Sequence, residues 1–295
     1  MRKPIQEERD MAGVEGRVVV VTGAGGGLGR EYALLLAREG ARVVVNDLGG
    51  SRDGTGSDES AAGKVVAEIQ ETGGEAVANY DSVATPEGGA AIVQTALDAF
   101  GRVDGIVSNA GILRDKSFVK MTDADWDAVL QVHLYGSYNV IHNAWPHMRE
   151  QQHGRIVVAT STSGLYGNFG QANYGAAKLG LVGLINTLAL EGAKYGIKAN
   201  AVAPIAATRM TADIMTEEQL KALPPDFVAP LIAHLCADEV EETGAAFIAG
   251  MGRYQQVQLF RAAGAEFDHT PSVAELADRW AQVVDFSAPQ PGGVL

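Results

Sequence analysis

Four consecutive valines, Val18, Val19, Val20 and Val21, run into Thr22-Gly23-Ala24-Gly25-Gly26-Gly27-Leu28-Gly29 and then into a helical pattern over residues 30–38. A short, unbroken, β-branched run predicts a strand buried on both faces, as in a parallel sheet covered by helices. Strand, glycine turn and helix in that order leave free backbone N–H groups at a helix N-terminus, where a pyrophosphate can rest. In that reading Gly23 permits the tight turn, Gly27 permits close backbone approach and Gly29 lets helix pack on strand, with Leu28 in the same turn. A glycine cluster alone is often just a flexible turn. Its place between strand and helix favours the nucleotide.

The pattern then repeats. A strand at 42–46 ends at Asp47, where a carboxylate can bind the ribose hydroxyls of an adenosine and repel a 2′-phosphate, so Asp47 favours NAD over NADP. Arg52, in the glycine-rich loop that follows, is the residue type that can serve a 2′-phosphate. A helix over 58–72 leads to a strand at 76–79, after which Asp81, Ser82 and Val83 are placed to touch the adenine. A helix over 86–100 and a strand at 104–107 bring Asn109, Ala110 and Gly111 to a strand end. Asn109 there either lies beside the cofactor or braces neighbouring strands. Thr122 and Asp125 form a capping-box pattern opening a long helix that carries His133. The alternation predicts a single doubly wound α/β domain with helices on both faces and ligands at the carboxyl ends of its strands.

The chain of 295 residues, 46% hydrophobic, can fill one large α/β core. Its formal charge of −13 argues against a nucleic-acid binder and against docking on an anionic membrane. One cysteine, Cys236, excludes an internal disulfide and any multi-cysteine metal site, so no metal is expected and a reducing, cytoplasmic setting is. Residues 1–12 read as a loose polar leader, 13–252 as the catalytic domain, and 253–295 as an extension packed on the same domain or on a neighbouring subunit.

A strand at 154–159 delivers Ser161, and a helix over 171–194 carries Tyr174 and Lys178. A Tyr and a Lys four residues apart share one helix face. An ammonium near a phenol favours the phenolate and draws its pKa down from about 10. Such a phenol can take a proton from an alcohol or return it to a ketone, with the Ser161 hydroxyl holding the reacting oxygen. Most Tyr-x-x-x-Lys pairs are only an interfacial Tyr beside a solvated Lys. The strand-end serine and the glycine turn raise this one above that background. The helix is apolar on more than one face, which fits burial or a subunit contact. A sixth strand, 197–202, ends at Pro204, and the stretch 205–223 reads as a substrate lid, before a helix at 224–237 and a seventh strand at 246–248.

Thr22 to Gly29, Asn109-Ala110-Gly111, Ser161 and Tyr174 to Lys178 together resemble the short-chain dehydrogenase/reductase family, over about residues 14–252. The resemblance implies a seven-stranded Rossmann sheet, a dimer or tetramer, and roles for three residues. Tyr174 is then the acid/base, Lys178 holds the nicotinamide ribose, and Ser161 orients the carbonyl or hydroxyl. Residues 44–50, 78–83, 111–115 and 166–174 are similar to the dehydrogenase part of the type 2 multifunctional enzymes of β-oxidation. That likeness implies NAD-dependent oxidation of a (3R)-3-hydroxyacyl-CoA, with 17β-hydroxysteroids as a further substrate class. Two departures stand out. His133 replaces the Asn that many members place at a proton-relay water, and is either part of a relay or only structural. Pro204-Ile205 replaces Pro-Gly, with Thr208 the candidate for the nicotinamide amide. Arg114, Lys116 and Arg209 are candidates for CoA phosphates, though solvated charge is their ordinary role. The rival readings are an NADPH-dependent ketoacyl or carbonyl reductase, which Asp47 disfavours, and a non-catalytic NAD(H) sensor, which the presence of Ser161, Tyr174 and Lys178 disfavours.

Overall fold

The computed structural model describes residues 13–51, 53–56, 58, 60–206 and 223–292. The valine run forms β1 (Val18–Thr22), buried along its whole length at the centre of the sheet. In chain order follow α1 (Gly27–Arg38), β2 (Arg42–Asn46), α2 (Ser60–Glu71), β3 (Glu75–Asn79), α3 (Pro86–Phe100) and β4 (Gly105–Ser108). The second half supplies α4 (Asp123–Leu130), a π-helical turn (Gln131–Tyr135), α5 (Gly136–Gln151), β5 (Gly154–Ala159), α6 (Thr162–Tyr166), α7 (Ala172–Gly192), β6 (Ile197–Pro204), α8 (Ala229–Cys236) and β7 (Ala246–Gly250). The sheet order is β3-β2-β1-β4-β5-β6-β7, with β8 (Arg253–Val257) beyond β7. The register from β3 through to β7 is parallel throughout.

The sheet therefore has eight strands rather than the seven expected. The extra strand follows a two-residue turn in which Met251 and Gly252 have φ of 54° and 70°. Two successive left-handed residues suit a tight hairpin, but Met251 is not the turn residue a sequence reading looks for. The short helix α6 was also unexpected; Ser161 starts it by accepting the Ser163 N–H at 3.1 Å. The helix expected at 224–237 is instead a single 3-10 turn at Pro225–Phe227 followed by α8.

Parallel pairing brings the strand ends level. Thr22 lies beside Asn46, and Asn46 beside Asn79. Their buried amides join: Asn46 Nδ2 donates to Asn79 Oδ1 at 2.8 Å and to the Asp81 carbonyl at 2.9 Å, while Asn79 Nδ2 donates to Asp81 Oδ2 at 2.8 Å. This ladder fixes the turn after β3, and each buried amide finds partners it would otherwise be costly to lack. The capping box at α4 forms, with the Thr122 hydroxyl and the Asp125 side chain exchanging bonds with each other's backbone.

Residues 256–292 form a second compact unit. It holds an antiparallel pair, Phe260–Arg261 with Gln290–Pro291, and two short helices, Val273–Asp278 and Trp280–Val283, the first started by a Ser272–Glu275 capping box.

Candidate active site

The cavity of about 320 Å³ at the carboxyl ends of β1, β2, β3 and β4 gathers most of the expected dinucleotide residues: Gly23, Gly27, Leu28, Asp47, Asp81, Ser82, Val83, Asn109, Ala110 and Gly111. Its size falls within the range of small-molecule sites. Gly23, with φ of 65°, turns sharply, and a Cβ there would lie 2.7 Å from Ala110 Cα. A Cβ on Gly29 would lie 2.2 Å from the Gly23 carbonyl oxygen, so Gly29 is a packing residue that lets α1 sit on the turn, and it does not line the cavity. Gly26 and Gly27 face open space within 4 Å, leaving the start of α1 approachable by a phosphate.

Asp47 accepts the Gly25 N–H at 2.7 Å through one carboxylate oxygen and the Gly49 N–H at 2.6 Å through the other. Its charge is thereby held at the end of β2, facing the cavity. Asn109 braces the neighbouring strand ends. It lines the cavity, and its Nδ2 donates to the Thr22 and Gly23 carbonyls at 3.1 and 3.2 Å. Thr22 answers by accepting the Asn109 and Ala110 N–H groups on its hydroxyl, both at 3.1 Å. An open glycine turn, a strand-end carboxylate and a fixed Asn turn are the groups that suit the phosphates and ribose of a dinucleotide.

Ser161, Tyr174, Lys178 and Pro204 lie outside that cavity lining. The first three meet one another between β5 and α7. The Ser161 hydroxyl lies near enough to the Tyr174 phenol to favour its ionised form. Lys178 is buried, its Nζ donating to the Ala159 carbonyl, 5.5 Å from the Tyr174 ring centre. Thr160, also buried, clamps the same helix by donating to the Lys178 carbonyl at 2.7 Å. Asn173 steers the start of α7, donating to the Arg114 and Asp125 carbonyls at 3.2 and 3.0 Å. Neither Thr160 nor Asn173 stood out in the sequence, although each is a polar residue directly beside a candidate.

The electrostatics differ from the expected depression of the phenol. Burial pushes the Tyr174 phenol up to about 12, with the Ser161 hydroxyl opposing it. Burial also brings Lys178 down to about 7. At pH 7 Lys178 is only about half protonated, and its head points at a backbone carbonyl. The protein's own groups thus hold Tyr174 protonated, as a proton donor.

His133 sits on the π-helical turn, 2% exposed, and meets Tyr174 edge-on with ring centres 5.2 Å apart. Its Nε2 is 3.1 Å from the Ile112 N and 2.8 Å from the Ile112 O. Its carbonyl accepts the Ser137 hydroxyl at 2.7 Å. A Cβ on Gly111 would lie 2.2 Å from His133 Cε1, so Gly111 is small because the ring needs the room. Burial, reinforced by Lys178, pushes the imidazole well below its ordinary range, so it is neutral. The structural role of His133 is therefore visible. π-Turns recur at functional sites, but no residue spacing announced this one.

Two candidates for CoA phosphates are already engaged. Arg114 donates to the Asp53 and Ala124 carbonyls at 3.0 and 3.3 Å, and Lys116 pairs with Asp125 at 2.9 Å. Pro204 ends β6 opposite Ala249. Thr208, Arg209 and Arg52 lie outside the described residues.

Comparison with known proteins agrees with this geometry. The short chain dehydrogenase family matches residues 17–219, and the chain belongs to that family. A short-chain type dehydrogenase/reductase of Mycobacterium tuberculosis is 65% identical over 283 residues, covering 96% of this chain and 99% of that one. The peroxisomal multifunctional enzyme type 2 of Mus musculus is 53% identical over 276 residues, covering 92% of this chain and 37% of that one. The chain thus spans just over a third of the mouse protein. Among solved structures, a 7α-hydroxysteroid dehydrogenase complexed with NADH and a 7-oxo bile acid superposes with a TM-score of 0.73 at 27% identity, covering 81% of this chain and 94% of that one. The protein is accordingly an oxidoreductase that uses a nicotinamide dinucleotide and acts on a hydroxyl or carbonyl carbon of a small molecule.

Proposed function

We propose that the protein interconverts a secondary alcohol and a ketone with NAD, its substrate a (3R)-3-hydroxyacyl-CoA. The observation that carries the chemistry is the gathering of Ser161, Tyr174 and Lys178 at the end of β5, with the Lys178 Nζ 5.5 Å from the Tyr174 ring centre and buried against the Ala159 carbonyl. Ser161 holds the substrate oxygen, and Tyr174 Oη exchanges the proton with that oxygen. A bound dinucleotide supplies the hydride acceptor and, when oxidised, a positive charge. The protonated phenol suits ketone reduction as drawn, and the reverse step uses the same atoms by microscopic reversibility.

NAD is favoured over NADP by Asp47, whose two oxygens are fixed on the Gly25 and Gly49 amides and cannot swing away cheaply. The acyl-CoA assignment rests on the likeness to the type 2 multifunctional enzyme, and 17β-hydroxysteroids are the second substrate class to try. The reading extends to a homodimer or homotetramer in the cytoplasm. Support for assembly comes from α7. By length and hydropathy the helix from Ala172 to Tyr195 passes as a membrane span. Here its sheet side is buried, while Leu179 and Leu190 are 45% and 71% exposed. Buried Cys236 suits a reducing compartment.

The test is NADH formation from (3R)-3-hydroxyacyl-CoA and 17β-hydroxysteroids by the wild type and Tyr174→Phe. Loss of at least about 100-fold in kcat is expected for the variant. Full activity in Tyr174→Phe refutes the mechanism, and turnover of steroid without acyl-CoA refutes the substrate assignment.

A further inference from the structure

The dinucleotide cavity has a side chamber. Gly26, Gly27 and Asp47 line both spaces, and Gly25, Gly49, Asp58 and Ala61 complete the chamber's wall. It is bounded by the glycine turn, the end of β2 and the start of α2. Asp58 is held there by its backbone, donating to the Leu48 carbonyl at 3.1 Å and accepting the Ala61 N–H at 3.1 Å. A Cβ on Gly49 would lie 2.1 Å from the Asp58 carbonyl oxygen, so the two segments pack without slack.

The Asp58 carboxylate accepts the Ser60 N–H at 2.9 Å, on the first residue of α2. The free N–H groups of a helix start are the groups an incoming phosphate would use. Here an endogenous anion already takes one of them. A bound 2′-phosphate brings about two negative charges and would meet Asp47 and then Asp58.

We propose that Asp58 is a second selector of the dinucleotide ribose, acting with Asp47 to reject a 2′-phosphate. This rests on the NAD reading and extends it from one carboxylate to two. Replacing Asp47 alone leaves the chamber guarded. Neutralising Asp58 as well removes the second negative charge from the chamber.

The test measures binding of two probes, adenosine 5′-monophosphate and adenosine 2′,5′-bisphosphate, by calorimetry. The proteins are the wild type, Asp47→Asn, Asp58→Asn and the double variant. Asn caps a helix as well as Asp, so Asp58→Asn removes charge while keeping the fold, which an unchanged melting temperature verifies. In the Asp47→Asn background, Asp58→Asn should improve the bisphosphate-to-monophosphate affinity ratio about tenfold. That gain should shrink in about 0.5 M salt, because it is a charge effect; a merely structural role would show no such dependence. If Asp47→Asn alone reaches the ratio of the double variant, the assignment of Asp58 is overturned and the NAD reading stands. If the wild type already prefers the bisphosphate, both are overturned.

Discussion

Lys178 places a cation where folding opposes one, and that sets up a measurable trade of stability for chemistry. Burial lowers its pKa from 10.5 to about 7, and its Nζ donates to the Ala159 carbonyl. Between those two values the unfolded chain binds a proton that the folded chain does not. Stability therefore rises with pH across that window, and the penalty is fully present below pH 7. At pH 7 the cost is about 4 kcal/mol. Lys178→Met removes it, and leaves the Ala159 carbonyl short of a partner, which costs about 1 kcal/mol. The variant without dinucleotide should thus be more stable than the wild type by roughly 3 kcal/mol at pH 7, while losing at least about 100-fold in activity. Urea unfolding at fixed protein concentration, at pH 7 and pH 9.5, reads the effect. The stability gap should narrow by about 3 kcal/mol over that range, as the wild type is relieved of its penalty. Other titrations cancel in the difference. A gap that stays the same at both pH values refutes the reasoning, because it would mean that Lys178 folds without giving up proton affinity.

Gly111→Ala should destabilise the protein by about 2 kcal/mol or more through overpacking, since its Cβ would fall 2.2 Å from the His133 ring. Adding His133→Ala should recover part of that loss in a double-mutant cycle; purely additive effects refute the contact. Light scattering should give the mass of two or four chains, and a single-chain mass refutes the assembly proposed from Leu179 and Leu190.

Much of the architecture was legible because it is local. The valine run, the glycine turn and Asp47 are adjacent in the chain, and a buried parallel strand followed by a helix leaves the intervening turn little freedom. Tyr174 and Lys178 were legible for the same reason, since a helix period places them on one face. The eighth strand was not, because Met251 occupies a left-handed position that glycine or asparagine usually marks. The Asn46–Asn79–Asp81 ladder was not legible either. It exists because parallel register sets two strand ends level, and residues 46 and 79 have no relation along the chain.

The sequence by itself determined which groups could do the chemistry and the order in which the fold presents them. Their working state was decided by tertiary structure. The spacing of Tyr174 and Lys178 implied a depressed phenol, yet burial raises Tyr174 and lowers Lys178. Proton affinity depends on how much water and how many dipoles surround a group, and those are supplied by β5, the π-turn and the Gly111 loop. Likewise Asp58 is one acid among many along the chain, and packing alone carries it into the chamber beside Asp47.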